Sequence, residues 1–495
     1  MRRSIQTLGV LLGLCLGASA LALDHCKPLD AINLPDVTVT AITDADQPAA
    51  HCKLDGRIGK SIRFSVWLPK DWNGKFVMGG EGGFAGGLRN QALGLGVLQR
   101  GYATATTDTG HKAGGIDGRW ALGDYEAIVN YGHLAVHRTA VVSKAIVEQY
   151  YRNSPGASYF FGCSNGGRQA LIEAQRYPED FDAIVAGAPA LDFQGIGATF
   201  TWITQHMHPD PQTLGPPTVT AAHRKTLRDA IEGACDANDG LIDGVLGDPE
   251  ACPLEPASLA CSAGNTEGCL PPEAVRAVQS VYSGMRLPDG STPYPGFPFG
   301  AEDVDGNGWG SWLSGGPRTE PGRVPTAAFG FGVGLMRYFV YQDPDWSYVG
   351  YDFGTYARDS APVTAQLDAS NPDLDAFRKR GGKLLMYQGW ADVALSARMS
   401  THYMKAVLAR DPQAEADVRL FMMPGVLHCA GGDGASFVDW VGEIDRWYTE
   451  GEAPERIVAR FRPGDASEGR PVCAWPRAPH YDGGDGRQPG SFTCR

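Results

Sequence analysis

The sequence predicts an α/β fold interrupted by a large insertion, and three observations lead to that prediction. A short apolar segment, 157–161, precedes a Gly-Cys-Ser-Asn-Gly motif, and the helix-forming segment 168–177 follows it. Two later apolar segments, 383–387 and 418–423, each end in a polar loop. Alternation of strand-like and helical segments is typical of sheets covered by helices.

The motif at 162–166 has the form Gly-x-Ser-x-Gly. Gly162 and Gly166 lack Cβ atoms that would clash in a tight turn between a strand and a helix. The motif therefore predicts a nucleophile elbow with Ser164 as the nucleophile. Since the pattern also occurs by chance, the prediction depends on the flanking strand and helix.

An acid and a histidine follow in the order that an α/β-hydrolase requires. Asp392 lies in the loop after 383–387, and His428 lies in the loop after 418–423. In this scheme His428 accepts the proton of Ser164 during attack on an ester carbonyl, and Asp392 orients the imidazole. Taken singly, Asp392 could cap a turn and His428 is one of 11 histidines. Their joint position favours the catalytic interpretation.

Two cysteines flank the predicted catalytic residues, since Cys163 directly precedes the serine and Cys429 directly follows the histidine. This Cys-Ser, Asp, His-Cys arrangement resembles the tannase and feruloyl esterase family, which includes hydrolases of terephthalate monoesters. The resemblance covers nearly the whole mature chain and rests on 162–190, 387–392 and 424–432. It implies the catalytic triad Ser164, Asp392 and His428.

The resemblance also implies a bond between Cys163 and Cys429 that ties the two catalytic loops together. It further implies an oxyanion hole formed by the N–H groups of Asn165 and of a glycine in 79–83, of which Gly83 is favoured. That glycine-rich segment follows a strand-like stretch, and a backbone without Cβ atoms can turn its N–H groups toward a developing oxyanion. A plain flexible loop is the alternative.

The N-terminus predicts export. Arg2 and Arg3 precede an apolar core at 8–16 and an Ala-Leu-Ala sequence at 20–22, as in a cleaved signal peptide spanning 1–22. The core is far short of the roughly 20 residues that span a membrane. Loss of Cys15 with the signal leaves ten of the 11 cysteines, an even number that favours disulfide bonds in a secreted or periplasmic protein. Sequence does not fix their connectivity; the family pattern and short spacings suggest Cys26–Cys52, Cys235–Cys252, Cys261–Cys269 and Cys473–Cys494 beside the catalytic pair.

Composition and charge limit the classes of partner. The formal net charge is −13, and removal of Arg2 and Arg3 with an acid-free signal brings the mature chain to −13 − 2 = −15. Nucleic acids and anionic membrane surfaces repel such a chain. The sequence indicates no organic cofactor and leaves the oligomeric state open.

The α/β pattern stops and restarts along the chain. Residues 191–370 are rich in Gly, Pro, Cys and Trp and show few long periodic segments. A structureless loop of that length is improbable in a compact domain. We therefore expect a lid domain at 191–370, inserted into a catalytic domain formed by 23–190 and 371–495, as in tannase-like enzymes.

An acidic loop in the predicted lid suggests calcium, because carboxylates and backbone carbonyls are the ligands that this ion prefers. The loop does not fit an EF-hand, and a solvated acidic turn is the alternative. By resemblance, the ligands are the side chains of Asp236, Asp239 and Asp243 and the carbonyl oxygens of Leu241 and Val245. The flanking Cys235 and Cys252 suggest a stapled, preformed cage.

Two other candidate metal sites are weaker. The segment 303–308 copies only the opening of an EF-hand loop and favours a polar turn. His133 and His137 lie four apart on a predicted helix, but no third ligand accompanies them, which favours core or capping roles.

The chemistry that follows is hydrolysis of aromatic acid esters by an exported serine carboxylesterase, with feruloyl esterase activity first, tannase second and terephthalate monoester hydrolysis third. Leu395 is expected beside the site, and Arg323 or Arg337 would be needed for a terephthalate carboxylate. Candidate aromatic walls are Trp309, Trp312, Phe329, Phe331, Tyr338, Phe339 and Trp346. A phenolic- or carbohydrate-binding protein on a decayed hydrolase scaffold and a serine peptidase remain alternatives.

Overall fold

The computed structural model describes residues 25–211, 214–304, 306–315 and 324–495. The predicted signal peptide, 1–22, and Arg323 lie outside these residues. In the described ranges, no helix combines the length and apolar character needed to cross a membrane.

Nine strands form one mixed sheet. Their bounds are β1 (Val37–Ala45), β2 (His51–Ile58), β3 (Ile62–Pro69), β4 (Lys75–Gly79), β5 (Ala103–Thr107), β6 (Ala157–Cys163), β7 (Ala183–Gly187), β8 (Lys383–Gly389) and β9 (Val418–Met423). The order across the sheet is β1-β2-β3-β5-β4-β6-β7-β8-β9. The first three strands pair antiparallel with their neighbours, and all pairs from β5 to β9 are parallel.

Helices connect the strands, and two small hairpins close the chain. The helices are α1 (Tyr125–Val129), α2 (Ala135–Tyr151), α3 (Asn165–Arg176), α4 (Phe193–Met207), α5 (Ala221–Cys235), α6 (Pro272–Tyr282), α7 (Ala327–Leu335), α8 (Tyr356–Leu367), α9 (Asp375–Lys379), α10 (Ala397–Arg410) and α11 (Trp440–Glu450). The hairpins pair β10 (Arg456–Ala459) with β11 (Arg470–Cys473) and β12 (Pro479–Tyr481) with β13 (Phe492–Cys494).

Strand β6 shows why the sheet is covered on both faces. All seven of its residues are buried, as expected of a central parallel strand. Phe160 packs in a core with residues of α2 and α3, whereas Tyr159 and Phe161 pack in a second core with Trp440 and Trp447 of α11. A parallel sheet between helical layers, with a serine loop after β6, is the α/β-hydrolase architecture, and the predicted fold class is confirmed.

Helices α4 to α8 lie between β7 and β8, in the span that sequence assigned to the lid. Helices α4 and α7 approach closely because glycines face the contact. A Cβ on Gly332 would lie 2.8 Å from the Cβ of Phe200, and a Cβ on Gly197 would lie 2.2 Å from Leu335 Cδ2. This close packing brings the side chains of α4 and α7 to one wall of the candidate site.

A single carboxylate anchors α11 to the edge of the sheet core. Asp445 accepts hydrogen bonds from Lys75 Nζ at 2.5 Å, Tyr159 Oη at 2.6 Å and Tyr102 Oη at 3.1 Å. Burial alone would raise the pKa of Asp445, but the bonds from Lys75 and Tyr159 bring the pKa below its ordinary value. The stabilisation is therefore present above the ordinary aspartate pKa and is lost as the pH falls through the lowered one.

We predict that Asp445→Asn lowers the free energy of unfolding at pH 7 by about 2 kcal/mol, because a neutral amide cannot accept from three donors. Denaturant unfolding at pH 7 and pH 3 measures this loss, which should shrink at the lower pH. Asp36→Asn is the control, since Asp36 pairs with Arg138 at the surface and is 59% exposed; its effect should stay within about 0.5 kcal/mol. Equal losses in the two variants would contradict the assignment.

Candidate active site

The predicted nucleophile lies in a strained turn between β6 and α3. Ser164 has φ 67° and ψ −125°, an unusual conformation for a residue with a side chain. The turn is tight because Gly162 and Gly166 come together: a Cβ on Gly162 would lie 2.3 Å from the Gly166 carbonyl oxygen. The Ser164 N–H donates to the Gly187 carbonyl at 3.0 Å, which fixes the turn to the neighbouring strand β7.

Asp392 and His428 meet at the ends of β8 and β9. The His428 Nδ1 lies 2.8 Å from Asp392 Oδ2. An ionised carboxylate only accepts hydrogen bonds, so Nδ1 carries the proton and Nε2 is left as the basic atom. Asp392 is 1% exposed, and its other oxygen accepts the N–H groups of Ala394 and Leu395 at 2.8 and 3.0 Å.

Ser164 and His428 line the same cavity. No hydrogen bond between Ser164 Oγ and His428 Nε2 occurs within the described part of the chain. Such contacts commonly tighten only when substrate binds. The structure thus brings the three predicted residues together and joins two of them directly.

Two residues that sequence analysis missed hold the acid. Gln388 Nε2 donates to Asp392 Oδ2 at 2.8 Å, and Ser400 Oγ donates to Gln388 Oε1 at 3.0 Å. Because the ionised carboxylate only accepts hydrogen bonds, the Nε2 end of the amide faces Asp392. Gln388 and Ser400 are both buried. Nothing in a lone glutamine four residues before an aspartate signals this role.

The disulfide between Cys163 and Cys429 is confirmed, as are the other four predicted pairs. The first bond joins residues 266 positions apart and connects the neighbours of Ser164 and His428. Cys429 has φ 66°, so the histidine loop also contains a left-handed residue beside the bond. Five disulfide bonds are typical of proteins from oxidising compartments.

The two backbone donors predicted for an oxyanion hole line the cavity with Ser164. Gly83 has φ 58°, and a Cβ there would lie 2.2 Å from the Gly115 carbonyl oxygen, so the position requires glycine. The N–H groups of Gly83 and Asn165 donate to no acceptor among the residues described. Both donors are therefore available to a ligand oxygen.

The segment that carries Gly83 is held by buried titratable groups. Glu81 accepts the N–H of Arg89 at 2.7 Å and of Gly87 at 3.2 Å. Burial raises the pKa of Glu81 to about 7, although these N–H groups lower it and Asp108 adds to the rise. His111 Nε2 donates to the Phe84 carbonyl at 2.8 Å, and burial lowers the pKa of His111 to about 4.

Two cavities meet at Ser164. The inner cavity is enclosed by apolar side chains from the catalytic loops and from α4 and α7, and its described lining contains no Asp, Glu, Lys or Arg. Its apolar walls are Phe84, Ala190, Phe193, Ile196, Phe200, Trp312, Phe331, Leu335, Ala394 and Leu395. The outer cleft is more polar and includes Glu81, Arg89, Gln91, Asn307, Ser311 and Thr326. Gly83, Trp312, Phe331 and His428 border both spaces.

Only part of the predicted aromatic wall lies here. Trp312, Phe331 and Leu395 line the inner cavity as expected. The other predicted aromatics lie elsewhere: Trp309 and Phe339 are core residues, Phe329 and Tyr338 line a separate surface pocket, and Trp346 stacks on Tyr341. Phe84, Phe193 and Phe200 were missed, because Phe84 lies in the glycine-rich loop after β4 and the contribution of the other two depends on how α4 packs.

Of the two candidate cations for a terephthalate carboxylate, Arg337 does not line the inner cavity. Arg337 lines the separate surface pocket and donates through Nε to the Trp346 carbonyl at 2.8 Å. Arg323 lies outside the described residues. His133 and His137 occupy structural positions, bonded to Tyr177 at 2.6 Å and Asp180 at 2.7 Å respectively.

The acidic loop predicted to bind calcium follows α5. Asp236, Asp239 and Asp243 each accept a backbone N–H within the loop. Burial raises the pKa of Asp239, and the Asp243 and Asp236 carboxylates raise it further, whereas Arg470 lowers it and is bonded to Asp243. Within the described ranges, the three carboxylates do not converge to 4.8 Å of one another.

The donor set of this loop nevertheless suits a hard cation. The predicted backbone ligands, the carbonyl oxygens of Leu241 and Val245, accept no hydrogen bond from the described residues. The bond between Cys235 and Cys252 closes the loop. Mutual repulsion among carboxylates is what a divalent ion relieves.

A sequence model of the family described as tannase and feruloyl esterase matches residues 48–495. The chain belongs to this family. A probable feruloyl esterase of Arthroderma benhamiae is 33% identical over 88% of this chain and 83% of its own length. The mono(2-hydroxyethyl) terephthalate hydrolase of Piscinibacter sakaiensis is 30% identical over 90% of this chain and 84% of its own. The resemblance drawn from the sequence is thus confirmed.

A solved structure extends the likeness to three dimensions. The crystal structure of feruloyl esterase B from Aspergillus oryzae superposes with a TM-score of 0.83 at 26% identity, covering 95% of this chain and 99% of the other. As a member of the tannase and feruloyl esterase family, the protein is a carboxylic ester hydrolase. A decayed, purely binding scaffold is not supported.

We predict that replacing both Cys163 and Cys429 by alanine lowers kcat about a hundredfold, because loops that drift by roughly 1 Å lose catalytic alignment. Unfolding free energy should fall by about 2–5 kcal/mol, since the bond closes a long loop. Ester hydrolysis and denaturant unfolding measure the two effects.

The matched control replaces Cys473 and Cys494, which close a loop between residues 21 apart in the C-terminal hairpins. This variant should lose stability while its kcat stays near the wild-type value. A Cys163 and Cys429 variant that hydrolysed esters at the wild-type rate would show that the bond does not align the loops.

Proposed function

We propose that this ester hydrolase is a feruloyl esterase-like serine carboxylesterase that cleaves esters of hydroxycinnamic acids. The observation that carries the proposal is the apolar cavity at Ser164, beside the hydrogen-bonded pair Asp392 and His428. A hydroxycinnamoyl group is flat and largely apolar, and aromatic side chains favour such groups. The names of the feruloyl esterase relatives support the same substrate class.

In the proposed mechanism, Ser164 Oγ attacks the ester carbonyl while His428 Nε2 accepts its proton. The carbonyl oxygen gains negative charge and is bound by the N–H groups of Asn165 and Gly83. Asp392 accepts the hydrogen bond from His428 Nδ1 and stabilises the imidazolium. His428 then donates its proton to the leaving alcohol, and a water molecule activated by the same histidine hydrolyses the acyl-enzyme.

The two cavities suggest how the ester lies. The acyl group would occupy the inner cavity, because the walls of that space are apolar. The alcohol would lie in the outer cleft, where amide and hydroxyl groups of Asn307, Ser311 and Thr326 can bond its hydroxyls. The absence of a charged residue in the described inner lining disfavours a terephthalate carboxylate there, because a buried unpaired charge is costly.

We also propose that the chain is exported through the predicted signal peptide at 1–22 and acts in the periplasm or outside the cell. The N-terminal sequence and the five disulfide bonds support export.

A structural calcium ion in the acidic loop is the second part of the proposal. Asp236, Asp239 and Asp243 would hold it with the carbonyls of Leu241 and Val245, and the ion would neutralise three clustered carboxylates. It would stabilise the region that follows α5 and take no part in ester cleavage.

We predict that Ser164→Ala lowers kcat on aryl esters by at least about a thousandfold while the fold is retained, because only the attacking oxygen is lost. Initial rates on methyl ferulate, methyl gallate, a terephthalate monoester and a peptide anilide rank the alternatives, and methyl ferulate should give the highest kcat/KM. A folded Ser164→Ala enzyme with near wild-type rates would exclude the serine mechanism, and a preference for the anilide would indicate a peptidase.

For calcium, we predict about one ion per chain in protein purified without chelator, and a melting temperature that chelator lowers. Asp243→Ala should abolish this chelator dependence. Asp303→Ala is the control, because Asp303 belongs to the other acidic segment, is 38% exposed and lies 3.8 Å from Arg224. Metal-free protein whose melting temperature ignores chelator would rule out the ion.

A further inference from the structure

The two candidate oxyanion donors come from different parts of the fold. Asn165 begins α3, directly after the nucleophile, whereas Gly83 lies in the loop after β4. A shared oxygen can be bound by both only if the loop is held at a fixed distance from the helix, since donors must lie about 2.7–3.1 Å from the oxyanion. Contacts between α3 and that loop therefore affect the distance between the two donors.

Two side chains of helix α3 form hydrogen bonds with the backbone N–H and carbonyl groups of Glu81. Asn165 Nδ2 donates to the Glu81 carbonyl at 3.0 Å, and Gln169 Oε1 accepts the Glu81 N–H at 3.1 Å. The two residues are four apart on the helix and so lie on one face. Both are 2% exposed, so water does not compete for these bonds.

The contact is close. A Cβ on Gly80 would lie 2.8 Å from Gly166 Cα and 2.9 Å from Gln169 Oε1. The loop and the helix thus approach to backbone contact beside the two hydrogen bonds. Gly83 is only two residues beyond Glu81, so a shift of the Glu81 peptide is passed on to the donor.

A buried cation sets the orientation of the Asn165 amide. Arg168 Nε donates to Asn165 Oδ1 at 2.9 Å, which leaves the Nδ2 end facing Glu81. Arg168 is fully buried, and within the described residues it forms no ion pair. Its guanidinium instead donates to the carbonyls of Gly132 at 2.7 Å and Tyr131 at 2.9 Å.

We propose that the side chains of Asn165 and Gln169 form a clamp on the Glu81 peptide that positions the Gly83 N–H relative to the Asn165 N–H. Asn165 then acts twice, since its main chain offers one oxyanion donor and its side chain positions the other. Arg168 keeps the clamp in the donating orientation. The inference rests on the proposed serine esterase mechanism. It adds Gln169, Arg168 and the side chain of Asn165 to that mechanism as positioning groups.

Asn165→Asp tests the clamp with a nearly isosteric change. The variant keeps the main-chain N–H and can still accept from Arg168, but an aspartate oxygen cannot donate to the Glu81 carbonyl. We expect kcat on methyl ferulate to fall about tenfold to a hundredfold, with KM changed less than about threefold. Gln169→Leu removes the other contact and should act in the same direction, which covers the case in which Asn165→Asp does not fold.

Binding of an aryl boronic acid separates positioning from general damage, because its adduct with the serine places an oxygen in the oxyanion hole. Affinity for the boronic acid should fall in proportion to kcat/KM, whereas affinity for a vinylphenol analogue of ferulic acid, which lacks the carboxyl group and so places no oxygen in the oxyanion hole, should not change. Gln175→Ala is the matched control: Gln175 also lies on α3 and donates to the Ala369 carbonyl at 2.7 Å, remote from Ser164. It should leave kcat unaltered.

Two results would overturn the clamp. One is a folded Asn165→Asp enzyme, together with Gln169→Leu, whose kcat stays within threefold of wild type. The other is an equal loss of affinity for the boronic acid and for the vinylphenol analogue. Ser164→Ala distinguishes these outcomes from failure of the proposed function, because activity retained in that variant would remove the serine mechanism itself.

Discussion

The close approach of backbone around Ser164 is the constraint on which the rest of the site depends. Strand β6, helix α3 and the loop after β4 meet where Gly162, Gly166 and Gly80 leave no room for a Cβ. Ser164 is held there at positive φ, a conformation that costs of order 1–3 kcal/mol and persists only when surrounding contacts fix it. The bond to Gly187, the disulfide at Cys163 and the contacts of α3 supply that fixation.

With Ser164 fixed in that turn, the sheet determines where the other catalytic residues can lie. Parallel strands β6, β7, β8 and β9 end at the same edge, so loops far apart in sequence arrive beside one another. Asp392 and His428 occupy two of those loops and are joined at 2.8 Å. The long bond from Cys163 to Cys429 reinforces an adjacency that the topology already creates.

Features that depend on one strand or loop could be predicted from the sequence, as the elbow, the acid and histidine loops and strands β6, β8 and β9 were. Helix α7 could not, because its residues Ala327–Leu335 are apolar nearly all round and contain three glycines, which removes the 3.6-residue period. Gly332 allows close packing against α4. The cavity walls Phe193 and Phe200 escaped prediction for the same reason, since a wall depends on packing between helices.

Buried polar contacts could not be predicted from the sequence either, and the site depends on them. An amide such as Gln388 or Asn165 offers a donor at one end and an acceptor at the other, so its role is decided by the partners that contact it in the folded chain. The Asp392 carboxylate, which only accepts, orients the first, and the Arg168 guanidinium, which only donates, orients the second. In both cases a buried neighbour determines which end of the amide donates and which accepts. The catalytic residues are thus aligned by hydrogen bonds whose partners converge only in the folded chain.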